Sequence, residues 1–351
     1  MRVTLSRAVL ALVPLLAWPA DATAQRRGRS AGPPPKLEHL TYQEASFTSE
    51  ALGGRKAAFG VYLPKELEAA GSNDDEPAKT YPLVIWLHGM FEDHNRFLSR
   101  GGAAVLDQMI GEGTVPPLVL VCANGDRSSF WTNAAVENAA YEDLVTKDLL
   151  AHVSATYPVR TDRAGRAITG VSMGGYGALK IALKDPSRFG VVAVHSAAVL
   201  PPDPDRLMEE FPWLQSRGSQ LLSSVFGEPL DEDRYRAENV LALATGIDPE
   251  KLDGLRIYFD CGDQDRYGFH LTNENLHEVL EAREIAHQWR LVPGGGHSWG
   301  AGFTQEALTH SLRFVAQAFQ TPRSEVGEDT AKRDAAKKGE DKPKAKAAGG
   351  H

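Results

Sequence analysis

Apolar residues in this chain cluster in short continuous runs, and between the runs the spacing changes to that of helices. Six runs read as strands buried on both faces: Leu83–Leu87, Leu118–Cys122, Arg166–Val171, Val191–His195, Leu255–Phe259 and His287–Val292. Two earlier segments, Glu44–Glu50 and Lys56–Leu63, flank Gly53-Gly54 and predict a hairpin. Tyr141, Leu144, Val145, Leu149 and Val153 share one helical face. Leu276, Val279 and Leu280 form another behind the candidate cap Thr272, and Leu308, Leu312, Val315 and Phe319 a third behind the candidate cap Thr304. This alternation predicts the α/β class, a mostly parallel central sheet flanked by helices. Residues 200–253 are too many for a connector and predict a small helical cap insertion near the C-terminal edge of the sheet.

The pattern places one domain at 37–320. Residues 25–36 are basic and proline-rich, as in a flexible linker. Residues 321–351 carry charge and almost no large apolar side chains, too little to offset the entropy of folding, and predict a disordered tail. The first 24 residues have the three parts of a signal peptide. Arg2 and Arg7 come first, then the apolar run Ala8–Trp18, too short to span a bilayer, then Ala22-Thr23-Ala24 before Gln25. The expected destination is secreted or periplasmic, with no integral membrane segment once the signal is removed.

Composition changes this picture little. Of 351 residues 42% are hydrophobic, and the net charge of −8 argues against a nucleic-acid partner. Cys122 and Cys261 are too few for a disulfide framework, and His88 and His94, six apart, lack metal-ligand spacing. No metal and no cofactor are expected, and the sequence leaves the oligomeric state open.

The chemistry lies in the G-x-S-x-G pattern, in which a serine sits on a strained turn from strand to helix. It occurs three times. Gly28-Arg29-Ser30-Ala31-Gly32 lies in the linker, with no strand before it. Gly296-His297-Ser298-Trp299-Gly300 follows a strand but leaves no further strands to carry an acid and a base. Gly170-Val171-Ser172-Met173-Gly174 ends the strand Arg166–Val171 and opens a helix with small residues, so Ser172 is the candidate nucleophile. His297 follows the strand His287–Val292 in a glycine-rich loop and is the candidate base. The acid belongs after Leu255–Phe259, where Asp260, Asp263 and Asp265 compete. The same segment lacks the residue pattern of a calcium loop. Two backbone N–H groups must hold an oxyanion. Met173 supplies one, and Met90, after the turn His88-Gly89, supplies the other.

At these residues the chain resembles the putative-esterase family of the α/β hydrolases, which includes S-formylglutathione hydrolases, feruloyl esterases and mycolyltransferases. The resemblance runs from about Gly60 to Phe319. It rests on Val61-Tyr62-Leu63-Pro64, Leu87-His88-Gly89, Ser172-Met173-Gly174-Gly175-Tyr176-Gly177-Ala178-Leu179, Asp260 through Asp265, and Pro293 through Trp299. It implies the α/β-hydrolase fold with Ser172 as nucleophile, His297 as base and Asp265 as acid, five residues past Asp260. It also places the Arg127–Asn133 loop, with Trp131, beside the site, so that His88, Gly89 and Trp131 become candidate substrate contacts. On burial statistics alone Trp131 reads as core. The implied activity is serine carboxylic-ester hydrolysis through an acyl-enzyme, on a small-molecule or carbohydrate-linked ester, feruloyl types included. Acyl transfer of the mycolyltransferase type or a thioesterase of the S-formylglutathione hydrolase type would use the same triad. A silent binding module would show a missing triad member, and none is missing. In the strand order of this fold three strands lie between Cys122 and Cys261. Four spacings of about 4.8 Å separate them by about 19 Å, so both are expected as free thiols despite export.

Overall fold

The strands β3 (Leu83–Leu87), β4 (Val119–Ala123) and β6 (Val191–His195) are buried at every residue, because both faces of each are covered. Along β3 the side chains alternate between two layers. Leu83, Ile85 and Leu87 join one apolar cluster; Val84 and Trp86 join the other. The computed structural model describes residues 36–69, 79–211, 221–297 and 303–320. The expected signal segment, the linker but for Lys36, the tail, and Ser298 with Trp299 lie outside the described residues.

With β1 (Leu40–Ser49), β2 (Arg55–Pro64), β5 (Arg166–Val171), β7 (Arg256–Gly262) and β8 (His287–Val292), the strands form an eight-stranded sheet in the order β1-β2-β4-β3-β5-β6-β7-β8. β1 and β2 make the expected hairpin, turning through Gly53 and Gly54, both at positive φ. β2 runs antiparallel to β4, and every pairing from β4 to β8 is parallel. This is the mostly parallel α/β architecture that the continuous apolar runs predict.

Helices cover both faces. Tyr141–Asp143, the π-helical Leu144–Leu149 and Leu150–Thr156 form one continuous stretch, which joins Met173–Lys184 and Phe269–Ala282 on the first face. Gly102–Gly111 and Phe303–Gln320 cover the second. Glycines bound Gly102–Gly111 at both ends, and its short Ala103–Leu106–Met109 stripe gave no sequence signal. Two expected caps are corrected. The helix at Thr272 starts earlier, behind Gly268 at φ 80, and the Thr272 hydroxyl donates to the Phe269 carbonyl within the first turn. Thr304 likewise lies inside Phe303–Gln320. β7 runs to Gly262, so Asp260 is part of the strand and not of the loop.

Between β6 and β7 the chain forms the helices Pro204–Glu210, Glu232–Glu238 and Val240–Gly246. Their buried side chains Leu207, Tyr235, Val240 and Leu241 belong to the same apolar cluster as the strands. Tyr235 Oη donates to the Pro201 carbonyl at 2.6 Å, and Asn239 Nδ2 to the Leu200 carbonyl at 2.9 Å. The insertion is therefore fastened to the core at its base.

A buried ionic group ties this insertion to the helix Met173–Lys184. Lys180 has no exposed surface. Four oxygens surround its Nζ and share its three N–H groups: Glu142 at 2.7 Å, Glu238 at 2.8 Å, the Trp131 carbonyl at 2.8 Å and Thr132 Oγ1 at 3.0 Å. Lys184 bridges the same two glutamates from the rim. Removing one member of such a group leaves the others buried and uncompensated. Lys180→Ala is expected to lower unfolding free energy by about 3 kcal/mol, read from urea denaturation. An unchanged midpoint would show that Lys184 alone satisfies both carboxylates.

Cys122 in β4 and Cys261 in β7 are buried and unpaired, with β3, β5 and β6 between them. Burial pushes both thiols above their ordinary range. Thiol titration of unfolded, unreduced protein is expected to count two. A count of zero would be incompatible with this strand order.

Candidate active site

β5 ends at Val171, the helix begins at Met173, and Ser172 alone makes the turn, at φ 57 and ψ −117. Such a backbone is strained for a residue with a Cβ and persists only where surrounding bonds over-determine it. Three do so here. The Ser172 N–H donates to the His195 carbonyl at 3.0 Å, and its carbonyl accepts the Tyr176 and Ala198 N–H groups, each at 2.9 Å. Ser172 keeps some exposure while Val171 and Met173 on either side are buried. The helix start also lies hard against β3. A Cβ on Gly174 would come within 2.0 Å of the Leu87 carbonyl oxygen, so only glycine allows the approach.

The strand ends are in register: Val171 pairs with His195, His195 with Asp260, and Asp260 with Arg290. The loops that leave β5, β7 and β8 therefore emerge at one edge of the sheet. Asp265 lies in the loop after β7. Its Oδ2 is 2.7 Å from His297 Nδ1 and 3.4 Å from the Cys261 thiol, and its Oδ1 accepts the Tyr267 N–H at 2.9 Å. The side chain of Asp265 is wholly buried and that of His297 is 15% exposed. Burial alone would raise the Asp265 carboxyl. The hydrogen bond and charge of His297, the Tyr267 N–H and the thiol outweigh that and hold it below the ordinary carboxylate value. Tyr267 and Phe269 flank the imidazole, the former edge-on at 4.8 Å between centroids. The carboxylate thus fixes Nδ1 of His297 and leaves Nε2 for chemistry.

The three aspartates that compete in the sequence take different tasks. Asp263 accepts the Gly294 N–H at 2.8 Å, across to the histidine loop and not within its own turn. Asp260 is fully buried, with both oxygens 3.0 Å from His195 Nδ1 and Oδ2 accepting Tyr258 Oη at 2.8 Å. His195 Nε2 is in turn 3.0 Å from Ser311 Oγ. Ser311, His195 and Asp260 form a second Ser–His–Asp set that sequence reading missed. At 2%, 3% and 0% exposure they have no surface for a substrate. They tie β6, β7 and the helix Phe303–Gln320 together. No sequence signal links them, since 116 positions separate His195 from Ser311.

On the other flank, a Cβ on Gly89 would sit 3.5 Å from the Ser172 Cβ, so the turn after β3 reaches the serine. Among the described residues, the Met90 and Met173 N–H groups donate to no acceptor. Both remain available for an oxyanion. His88 and Trp131 lie beside the turn that reaches Ser172, but the structure does not make them substrate contacts. Each is 0% exposed, so neither lines a binding surface. His88 Nε2 accepts the Gly125 N–H at 3.0 Å, which leaves Nδ1 to donate to the Gly89 carbonyl at 2.8 Å. Burial lowers its pKa and keeps the ring neutral in this bridging role. Trp131 Nε1 donates to the His88 carbonyl at 3.2 Å, and the indole packs on Gly177 of the nucleophile helix. The burial-based reading of Trp131 as core is the correct one. Both residues hold the turn after β3 from beneath.

A family model described as "Putative esterase" matches residues 49–315. The S-formylglutathione hydrolase of Mus musculus is 26% identical over 279 residues, 74% of this chain and 89% of that protein. An endo-1,4-beta-xylanase/feruloyl esterase of Xylanibacter ruminicola is 26% identical over 170 residues, 48% of this chain and only 23% of that longer protein. Among solved structures, a ferulic acid esterase superposes with a TM-score of 0.64 at 24% identity, over 80% of this chain and 99% of its own. That likeness shows the α/β-hydrolase fold.

The Asp265 geometry gives a pH dependence. Its folded pKa lies below the ordinary carboxyl value of 3.8, so its contribution is full above the unfolded pKa and is lost as pH falls through the folded one. The stability of wild type over Asp265→Asn, from urea denaturation, is expected to be constant near neutrality and to shrink between roughly pH 5 and pH 2. A gap that stays constant across that range would mean the carboxylate gains nothing from His297.

Proposed function

Since the chain belongs to the putative-esterase family and is a carboxylic ester hydrolase of the α/β-hydrolase fold, we propose that it is an exported enzyme that works through an acyl-enzyme on Ser172. The observation that carries the reading is the strained turn at Ser172 at the same sheet edge as the 2.7 Å Asp265–His297 pair. In this reading Ser172 Oγ attacks the ester carbonyl while His297 Nε2 takes the proton. The Met90 and Met173 amides receive the oxyanion, and loss of one such donor costs about a hundredfold or more in turnover. His297 then returns the proton to the leaving alcohol. Water repeats the sequence on the acyl-enzyme, with Asp265 orienting the imidazole throughout.

The proposed substrates are small acyl esters, among them carbohydrate-linked and feruloyl types. Phe91 supports an extended or aromatic group. It follows Met90 directly, is 56% exposed at φ 63, and has the Arg127 guanidinium 5.5 Å from its ring centre. An apolar face with a cation beside it suits a phenolic or sugar ring more than a short acyl chain alone. The signal-peptide pattern at 1–24 supports export.

The two Ser–His–Asp sets make the test sharp. With an aryl ester, Ser172→Ala is expected to lower kcat by about 10⁴–10⁶, and Asp265→Asn by about 10⁴ with little change in KM. Ser311→Ala should stay within about threefold of wild type, because a positioning bond is all it removes. Loss of turnover in Ser311→Ala with Ser172→Ala active would move the chemistry to the buried set and sink the proposal.

A further inference from the structure

At the far edge of the sheet from Ser172, three ligand-type side chains converge. His277 and Glu281 lie one turn apart on the helix Phe269–Ala282, and His287 is the first residue of β8. Residues at i and i+4 share a helix face. One ligand atom from each of the three lies within 4.8 Å of the others. His277 Nδ1 and His287 Nε2 are 2.8 Å apart. We propose that these residues form a binding site for a divalent transition-metal ion, with Zn²⁺ the best chemical match.

The site is oriented before any ion arrives. His287 Nδ1 lies 2.8 Å from the Ile285 carbonyl and must donate its proton there. That leaves Nε2 as a lone pair that accepts the proton of His277 Nδ1, and on binding of an ion this proton passes to His277 Nε2 so that Nδ1 can ligate. A backbone carbonyl on the second ring nitrogen is the usual support for an imidazole that ligates a metal. Stacking fixes both rings: His287 lies on Phe259 at 5.6 Å and 16°, and His277 on Trp289 at 6.3 Å and 28°. The turn between helix and strand is closed by Glu284 N–H to the Glu281 carbonyl and Ile285 N–H to the Leu280 carbonyl, at 3.0 and 2.9 Å. Glu281 is exposed, and among the described residues its carboxylate has no hydrogen-bond partner. It is therefore free to swing onto the ion.

The chemistry selects the class of ion. Two imidazoles and one carboxylate suit Zn²⁺ and its borderline neighbours, while Mg²⁺ and Ca²⁺ take oxygen sets. A tetrahedral Zn²⁺ with bonds of about 2.0–2.1 Å spaces its nitrogens by about 3.3 Å. The rings need to part by only about half an ångström, and water would complete the fourth position. The ion would not reach the ester. β8 spans six residues, about 17–20 Å, between His287 and the start of the loop that carries His297. Its role would be to clip the end of the helix that follows the Asp265 loop to the strand that precedes the His297 loop.

Titration of the chelator-treated full chain with Zn²⁺, followed by calorimetry and by thermal unfolding, tests the site. Wild type is expected to bind one ion, with Tm rising a few degrees at a hundredfold excess over Kd. His287→Gln and His277→Gln should each weaken binding by about a hundredfold, and Glu281→Gln by about tenfold. Glu281 is exposed, so that variant keeps its fold and still reads the site should a histidine variant unfold. Mg²⁺ should have no effect on any of them. A wild-type Tm that ignores Zn²⁺, or an affinity undiminished in the folded variants, overturns the proposal. None of these readouts uses ester turnover, so the result is independent of the assignment of Ser172.

Discussion

The site depends on one close approach, that of the first turn of Met173–Lys184 to the end of β3. A side chain on Gly174 would place a carbon 2.0 Å from the Leu87 carbonyl oxygen. With that approach made, the chain has one residue in which to turn from β5 into the helix, and Ser172 takes the positive φ. The Met173 N–H and the turn at Gly89 come to either side of it for the same reason. The far part of the helix secures the arrangement. Lys180 binds the Trp131 carbonyl, Trp131 binds the His88 carbonyl, and His88 binds Gly89 and Gly125. Phe130 and Trp131 both sit at positive φ, so this chain of bonds holds backbone that would otherwise relax.

The two Ser–His–Asp sets separate geometry from function. His195 is 3.0 Å from its aspartate and 3.0 Å from its serine, distances within the range for a catalytic relay. What it lacks is access, since every member is at most 3% exposed. The Asp265–His297 pair has its acid buried and its imidazole partly open, with a strained, half-exposed serine at the same edge. Burial of the acid excludes water from the bond that orients the ring. Exposure of the ring leaves it open to a bound molecule, as the proposed mechanism requires. That asymmetry, more than any distance, supports the proposal that Ser172, His297 and Asp265 are the reactive set.

Features set by local sequence were legible in it. Continuous apolar runs point to two-sided burial before any fold is known, and all six fall on parallel strands of this sheet, but His287–Val292 is the edge strand, where only Val292 is buried, so two-sided burial fails for that run. The serine turn is legible because strand, small residues and helix follow one another without a gap. The histidine loop is legible because a glycine-rich turn directly follows its strand. Contacts between distant segments left no such trace. Lys180 meets Glu142 and Glu238 at separations of 38 and 58 residues, and His195 meets Ser311 at 116. Asp263 and Asp265 could not be told apart locally, because each is a loop aspartate bonding into the histidine loop. The resemblance alone pointed to Asp265, and the fold shows that one holds the Gly294 amide and the other the ring. Trp131 was drawn toward the substrate by resemblance, although an indole that fills the space over Gly177 is core by its packing.

The histidine has the longest way to travel. β8 is the edge strand, three spacings of about 4.8 Å from β5. A side chain presented straight off its end would stay at that outer edge, away from β7. The loop after β8 instead folds back across the end of β7. A Cβ on Gly262 would come within 2.1 Å of the Gly295 carbonyl oxygen, so the crossing requires glycine there. The Gln264 N–H donates to that same Gly295 carbonyl at 2.8 Å, and Asp263 takes the Gly294 N–H. Acid loop and base loop are thereby bonded as one unit before Asp265 meets His297. Their relative position follows from backbone contacts, and the carboxylate only completes it. Precision at the imidazole is thus inherited from the crossing of two loops, just as the strain at the serine is inherited from the crossing of a helix and a strand.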